Sequence, residues 1–190
     1  MMVRTIVALC GKKGCGKDTA AKALLDKGWT GEKFAGPLKD ACRTLFGFDE
    51  SQVEGHLKDV VDPRWETTPR AILQFMGTEV FQYKINDVLP GIGRHFWTRS
   101  LVQRIHSTEG DIVITDMRFQ HELDALRAMD PSSYKVVSIK IHRDGACAEA
   151  RGVCAHASET ELDSVRCDHD ILNDKDVKEL WYNVSRAVEI

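Results

Sequence analysis

Apolar residues fall in short runs near the start, middle and end of the chain, and between those runs they recur every three or four positions. The runs at 3–9, 111–115, 135–142 and 168–172 predict strands, the first apolar enough for a buried parallel strand. A shorter strand candidate occupies 32–35. Helical spacing appears over 19–27 (Ala20, Ala23, Leu24, with Gly28 as the stop) and over 37–46 (Leu38, Ala41, Cys42, Leu45). Thr68-Pro69 predicts a helix start, a hydroxyl N-cap followed by proline in the first turn. From it runs the stripe Ile72, Phe75, Met76, Val80 and Tyr83, which ends at Pro90-Gly91. Further helices are expected at 94–106, 119–129 and 176–188, burying Trp97, Leu101 and Ile105 in the first and Leu180, Trp181 and Val184 in the last. Residues 47–66 are polar, contain Pro63, and read as an irregular, mobile loop. Strands alternating with helices imply a doubly wound α/β sheet with a ligand at the carboxyl ends of its strands.

Composition narrows the class. With 190 residues, 43% of them hydrophobic and 29% charged, the chain suits one soluble domain with room for a small lid. A formal charge of −3 argues against a protein that coats nucleic acid. No apolar run reaches membrane-spanning length, so no membrane partner is expected and a cytoplasmic location is. The six cysteines lack the spacing of a secreted scaffold and read as reduced thiols. Cys147, Cys154, His156, Cys167 and His169 hold zinc-binding atoms, but their C-x-H spacing is tighter than that of zinc fingers.

The chemistry concentrates at Gly11-Lys12-Lys13-Gly14-Cys15-Gly16-Lys17-Asp18-Thr19, between the first predicted strand and the first predicted helix. This matches the phosphate-binding pattern G-x-x-x-x-G-K-[ST] except at the last position, where Asp18 replaces the hydroxyl residue. Glycines let successive amides turn toward an anion, the helix start adds more amides, and Lys17 brings a mobile charge. A nucleoside triphosphate with magnesium is the expected guest. The metal would be held by Asp18, or by Thr19 and water. Asp116, at the end of the apolar run 111–115, is the carboxylate expected to meet magnesium or its waters; the alternative is that it caps the helix after it. Arg70, Gln74 and Thr78 recur at four-residue steps, either as the solvated polar face beside a core stripe or as a substrate-facing ladder.

These pieces occur in one order along the chain: the aspartate-bearing loop, Ala35-Gly36-Pro37-Leu38-Lys39-Asp40, Arg70 to Gln74 with Gly77-Thr78, Phe96-Trp97, and Asp116-Met117-Arg118 with His121, Glu122 and Asp124. Arg143, His156 to Glu159 and Ile171 to Asp174 complete the set. Together they resemble the phage-type deoxynucleoside monophosphate kinases of the P-loop kinase group. The resemblance implies a five-stranded, mostly parallel sheet with helices on both faces. It also implies a single domain over 1–190, with a monophosphate-binding helical region at about 36–107 and a lid at about 143–160. It implies transfer of the γ-phosphoryl of ATP to a deoxynucleoside monophosphate. Leu38, Lys39, Arg70, Gln74, Gly77, Thr78, Trp97, Asp116, Arg118 and Glu122 would meet the acceptor. Lys17, Arg118 and Arg143 would act on the transferring group, with Arg151 a weaker lid candidate. Asp18 or Asp116 would help hold the metal, a homodimer would be compatible, and a phage origin would put the protein in the host cytoplasm.

Two rivals remain at this stage. Another small-molecule kinase of the same fold, acting on dephospho-coenzyme A or phosphomevalonate, would carry a similar loop. A nucleotide-hydrolysing switch would usually carry N-K-x-D, whereas Asn173-Asp174-Lys175-Asp176 has its lysine one position late.

Overall fold

A computed structural model of the chain describes residues 3–143 and 161–190. In chain order the elements are β1 (Arg4–Cys10), α1 (Lys17–Leu25), β2 (Thr30–Glu32), α2 (Gly36–Phe46), α3 (Glu50–Val53) and α4 (Pro69–Gln74). They continue with α5 (Phe96–Ser107), β3 (Ile112–Met117), α6 (Gln120–Arg127), β4 (Tyr134–His142), β5 (His169–Leu172) and α7 (Val177–Val188). The five strands form one sheet in the order β2-β3-β1-β4-β5, and every neighbouring pair is parallel. Parallel neighbours cannot be joined by tight turns, which is why strands and helices alternate in the sequence. β1 lies at the centre, and Ile6 to Cys10 are completely buried between its two neighbours.

Strand alternation sends side chains to two faces. Val7, Leu9, Val113, Val137, Ile139 and Ile141 pack with Ala20, Ala21 and Leu24 of α1 and Leu180, Val184 and Val188 of α7. α6 and the end of α5 serve the opposite face. There Arg127 reaches Ser138 at 3.4 Å, and His106 meets the Tyr134 hydroxyl at 3.0 Å. The sheet is thus covered on both sides, as its apolar strands require.

The chain divides into two compact units, one made of residues 1–33 and 102–190 and the other of Phe34–Leu101. The first contains the sheet. The second is helical, with a small core of Cys42, Phe48, Val53 and Leu73 against which Leu38, Phe46, Ile72 and Met76 pack.

Several expectations shift. The second strand is Thr30–Glu32 rather than 32–35, because its pairing with Ile112 to Ile114 defines it and no apolar pattern does. The stretch 47–66 is not irregular. Asp49 caps α3 through Gln52 N at 3.0 Å, while Gln52 Oε1 accepts from Asp49 N at 3.0 Å. A 3-10 turn, His56–Asp59, follows. Beyond it Asp62, 4% exposed, is held by Arg64 and Gln52, and the backbone pairs Asp62 with Thr67. The helix started by Thr68 is α-helical only to Gln74 and then widens to a π-helix over Phe75–Tyr83. The predicted stripe is not the buried one: Leu73, still within α4, and Gly77 are buried, whereas Phe75 and Tyr83 are exposed. Phe81, off the stripe in sequence, packs against Phe96 and Trp97.

Candidate active site

The sheet unit carries the loop predicted to cradle phosphate. β1 hands the chain to Gly11, and residues 11–16 curl before α1 begins at Lys17. Gly11, Gly14 and Gly16 all have positive φ, at 146°, 81° and 102°. A Cβ on Gly11 would lie 2.5 Å from the Ile141 carbonyl oxygen and 2.6 Å from Cys15 Sγ, so only glycine fits the root of the turn. The first helical bond of α1 runs from Ala20 N to Gly16 O at 2.8 Å, leaving the amides of 17–19 outside the helical ladder. Lys17 folds back over the loop, its Nζ 2.6 Å from Gly11 O and 3.0 Å from Lys12 O. Loop, helix start and ammonium thus converge on one small volume that favours an anion.

Two further contacts fix the loop. Asn173, just past β5, donates from Nδ2 to Cys15 O at 2.9 Å, and Trp181 of α7 donates to Thr19 O at 2.7 Å. Asn173 belongs to the Ile171 to Asp174 piece of the family resemblance, but no role at the loop was expected of it from sequence. A side-chain amide at a strand end was its available signal. Asp18 is exposed in the first turn of α1, Thr19 is half-buried beside it, and Lys12 and Lys13 line the turn.

Asp116 lies within β3, one residue before its end, and the register places Met117 opposite Cys10, next to the start of the loop. It does not cap the following helix, whose N-cap position is Phe119. Glu122, 8% exposed, does that work: its carboxylate accepts from Arg118 N at 2.7 Å and Phe119 N at 3.0 Å. Burial raises the Glu122 carboxyl to about 7, with the Asp116 charge adding to the rise and the two amides and Arg118 opposing it. Glu122 therefore shapes the turn bearing Arg118. The Arg118 side chain is exposed, as is that of Arg143 at the end of β4. The rest of the expected lid, with Arg151 and His156, lies outside the described residues.

In the helical unit, Lys39 pairs with Glu54 at 2.6 Å, and Arg70 is held by both carboxylate oxygens of Asp59. Lys58, which sequence reading passed over, belongs to the same charged group. Burial lowers its ammonium pKa, and the Lys39 and Arg70 charges push it the same way. Trp97 donates to Gly77 O at 2.9 Å and sits edge-on to Phe81 and Phe96. A Cβ on Gly77 would stand 2.8 Å from Leu38 Cδ2, so Leu38, Gly77 and Trp97 form one packed group. Gln74 is exposed and Thr78 half-buried, and the π-helical widening ends the four-residue ladder that begins at Arg70. Among the described residues no cluster of acidic, histidine or cysteine side chains forms a metal cage.

Residues 47–184 match the family model for deoxynucleotide monophosphate kinases. A protein of Acanthamoeba polyphaga mimivirus that carries the name of a deoxynucleotide monophosphate kinase is 34% identical over 196 residues, covering 97% of this chain and 96% of the relative. The chain belongs to the deoxynucleotide monophosphate kinase family. Solved kinases share the fold of this family member at low identity. A dephospho-CoA kinase from Campylobacter jejuni aligns at TM-score 0.50 and 14% identity, over 99% of this chain and 96% of its own. A shikimate kinase from Acinetobacter baumannii aligns at TM-score 0.50 and 10% identity, over 99% and 94%. The parallel sheet is therefore that of the P-loop kinase fold, and family membership makes the chain an enzyme of the kinase class.

Proposed function

We propose that this enzyme moves the γ-phosphoryl group of ATP to the 5′-phosphate of a deoxynucleoside monophosphate, releasing ADP and the deoxynucleoside diphosphate. The observation that carries the donor half is the Lys17 ammonium folded 2.6 Å from Gly11 O, in a turn that leaves no room for a Cβ at Gly11. The acceptor half rests on membership of a family named for deoxynucleotide monophosphates.

On this reading the amides of 11–19 and Lys17 hold the β- and γ-phosphates. Asp18, exposed on α1, and Asp116, at the end of β3, offer oxygen ligands that suit magnesium, which takes one or two carboxylates and keeps waters and phosphate oxygens for the rest. When bound, that ion would offset phosphate charge. The acceptor's phosphate oxygen is already anionic at neutral pH, so no strong base is needed, and the obstacle is repulsion between two polyanions. Lys39 and Arg70 carry counter-carboxylates, Glu54 and Asp59, which a phosphate dianion would displace. Arg118 and Arg143 would neutralise the transferring group, and Glu122 would keep the Arg118 backbone in place. Leu38, Gln74, Gly77, Thr78 and Trp97 would shape the acceptor pocket.

A turnover screen of common ribo- and deoxynucleoside monophosphates with ATP and magnesium tests this. ADP release that depends on an added deoxynucleoside monophosphate is expected. ATP hydrolysis indifferent to every monophosphate, or transfer only to dephospho-coenzyme A, would overturn it.

A further inference from the structure

β3 carries an extra residue where it reaches the root of the loop. Ala8 pairs with Ile114 and Cys10 with Met117, so Thr115 and Asp116 together oppose the single residue Leu9 of β1. This is a β-bulge, a device that re-aims side chains and gathers beside active sites. Cross-strand partners share a face, so Ile114 and Met117 lie with Ala8 and Cys10 on one side of the sheet. Thr115 and Asp116 are left at the level of Leu9, which belongs to the core beneath α1. In a regular strand, alternation would send the two to opposite faces; the bulge keeps them together, next to Cys10 and the start of the loop.

Thr115 is 8% exposed, and its hydroxyl has no hydrogen-bond partner among the described residues. Other buried polar side chains are provided for. Glu32 has Arg104 at 3.2 Å, Asp62 has Arg64 and Gln52, Glu122 has two backbone amides, and Ser138 has Asp168. A buried hydroxyl without a partner costs stability, and a cost of that kind persists where function requires the group. The loop has a complementary gap. Its position 18, where a Ser or Thr hydroxyl ordinarily meets the nucleotide's magnesium, is an aspartate.

We propose that Thr115 is a further ligand-binding residue of the donor site, its hydroxyl meeting the water shell of nucleotide-bound magnesium in place of the hydroxyl absent at position 18. This rests on the donor half of the function proposed above. Threonine populates more than one staggered position about its Cα–Cβ bond, so a single rotation frees the hydroxyl from its packed place when ligand enters. The Thr115 oxygen then accepts a hydrogen bond from a metal-bound water, while Asp116, its neighbour on the bulge, offers the charged oxygen.

Thr115→Val removes the hydroxyl and keeps the branched shape, and Thr115→Ser keeps the hydroxyl. Urea unfolding of the ligand-free proteins and calorimetric titration with a non-hydrolysable ATP analogue, with magnesium or with EDTA, test the proposal. Thr115→Val should raise the urea midpoint, because the orphaned group is gone. It should also weaken binding of the magnesium complex by about tenfold, the scale of a lost hydrogen bond to a charged group, and leave metal-free binding unchanged. Thr115→Ser should bind the magnesium complex as the wild type does. A lower urea midpoint for Thr115→Val would mark the hydroxyl as a structural group and overturn the assignment. Unchanged affinity for the magnesium complex, or equal weakening with and without metal, would overturn it too. Those outcomes leave the donor reading standing, whereas a wild-type protein that binds no magnesium nucleotide would sink that reading and this one together.

Discussion

Lys17 and Glu122 illustrate how one side chain is tuned by what it touches. The Lys17 ammonium rests on two loop carbonyls, so the turn is charged and closed before any anion arrives. Replacing Lys17 by Met keeps the length of the stem and removes the charge. Turnover should fall by at least ~10²-fold, the scale on which loss of one preorganised charge-stabilising group is felt, with the circular dichroism spectrum unchanged. A coupled ADP assay reads this, and near-normal turnover would take Lys17 out of the reaction. Glu122 is a different case. Its carboxyl titrates at about 7 in the fold against 4.5 ordinarily, because burial penalises the charged form. A raised carboxyl contributes stability that is full below 4.5 and is lost as pH climbs through about 7. That loss is on the order of 3 kcal/mol above neutrality, at 1.36 kcal/mol per pH unit. Glu122→Gln keeps an acceptor for the amides of Arg118 and Phe119 and cannot ionise. Its urea midpoint should therefore fall less than the wild type's between pH 5 and 8; parallel curves for the two proteins would refute the burial account.

At the scale of elements, the π-helix Phe75–Tyr83 shows where sequence periodicity stops being a guide. Its widened turn puts Gly77 against Leu38 and turns the Gly77 carbonyl toward the Trp97 indole. Trp97→Phe retains an aromatic ring beside Phe81 and Phe96 and deletes the donor. A carbonyl left without its partner costs about 1–3 kcal/mol, so chemical denaturation should show a loss in that range; no loss would mean that water replaces the indole. Of the predicted stripe, Ile72 and Met76 pack against the small helical core, while Phe75 and Tyr83 face solvent and Leu73 is buried in their place, because the side that packs is set by the neighbouring helices. β2 was misplaced for another reason: Thr30-Gly31-Glu32 has no apolar pattern, and only the pairing with β3 makes it a strand. The Asp49-to-Gln52 capping pair was legible in sequence as a helix start but was passed over beside Pro63. The glycine-rich turn at 11–16 was legible residue by residue, because such a turn between a strand and a helix is a local device. Its support by Asn173, 158 positions distant from Cys15, was not.

On the scale of the whole molecule, the sheet unit and the helical unit Phe34–Leu101 each hold one half of the proposed ligand set. Ligand-specific protection from amide hydrogen exchange tests that division. A non-hydrolysable ATP analogue with magnesium should slow exchange chiefly in residues 11–19, whereas a deoxynucleoside monophosphate should slow it within Phe34–Leu101. Protection of the same peptides by both ligands would refute the assignment. By itself the sequence determined the strands at 3–9, 111–115, 135–142 and 168–172, the glycine-rich strand-to-helix turn, and the alternation that requires a parallel sheet, since these depend on neighbours a few residues apart. Tertiary structure alone decided the strand order, the pairing that creates β2, the burial that lifts Glu122, and the reach of Asn173 to the Cys15 carbonyl. Each of those depends on which distant segments share a face and how much water is left between them, and neither local periodicity nor motif spacing encodes that.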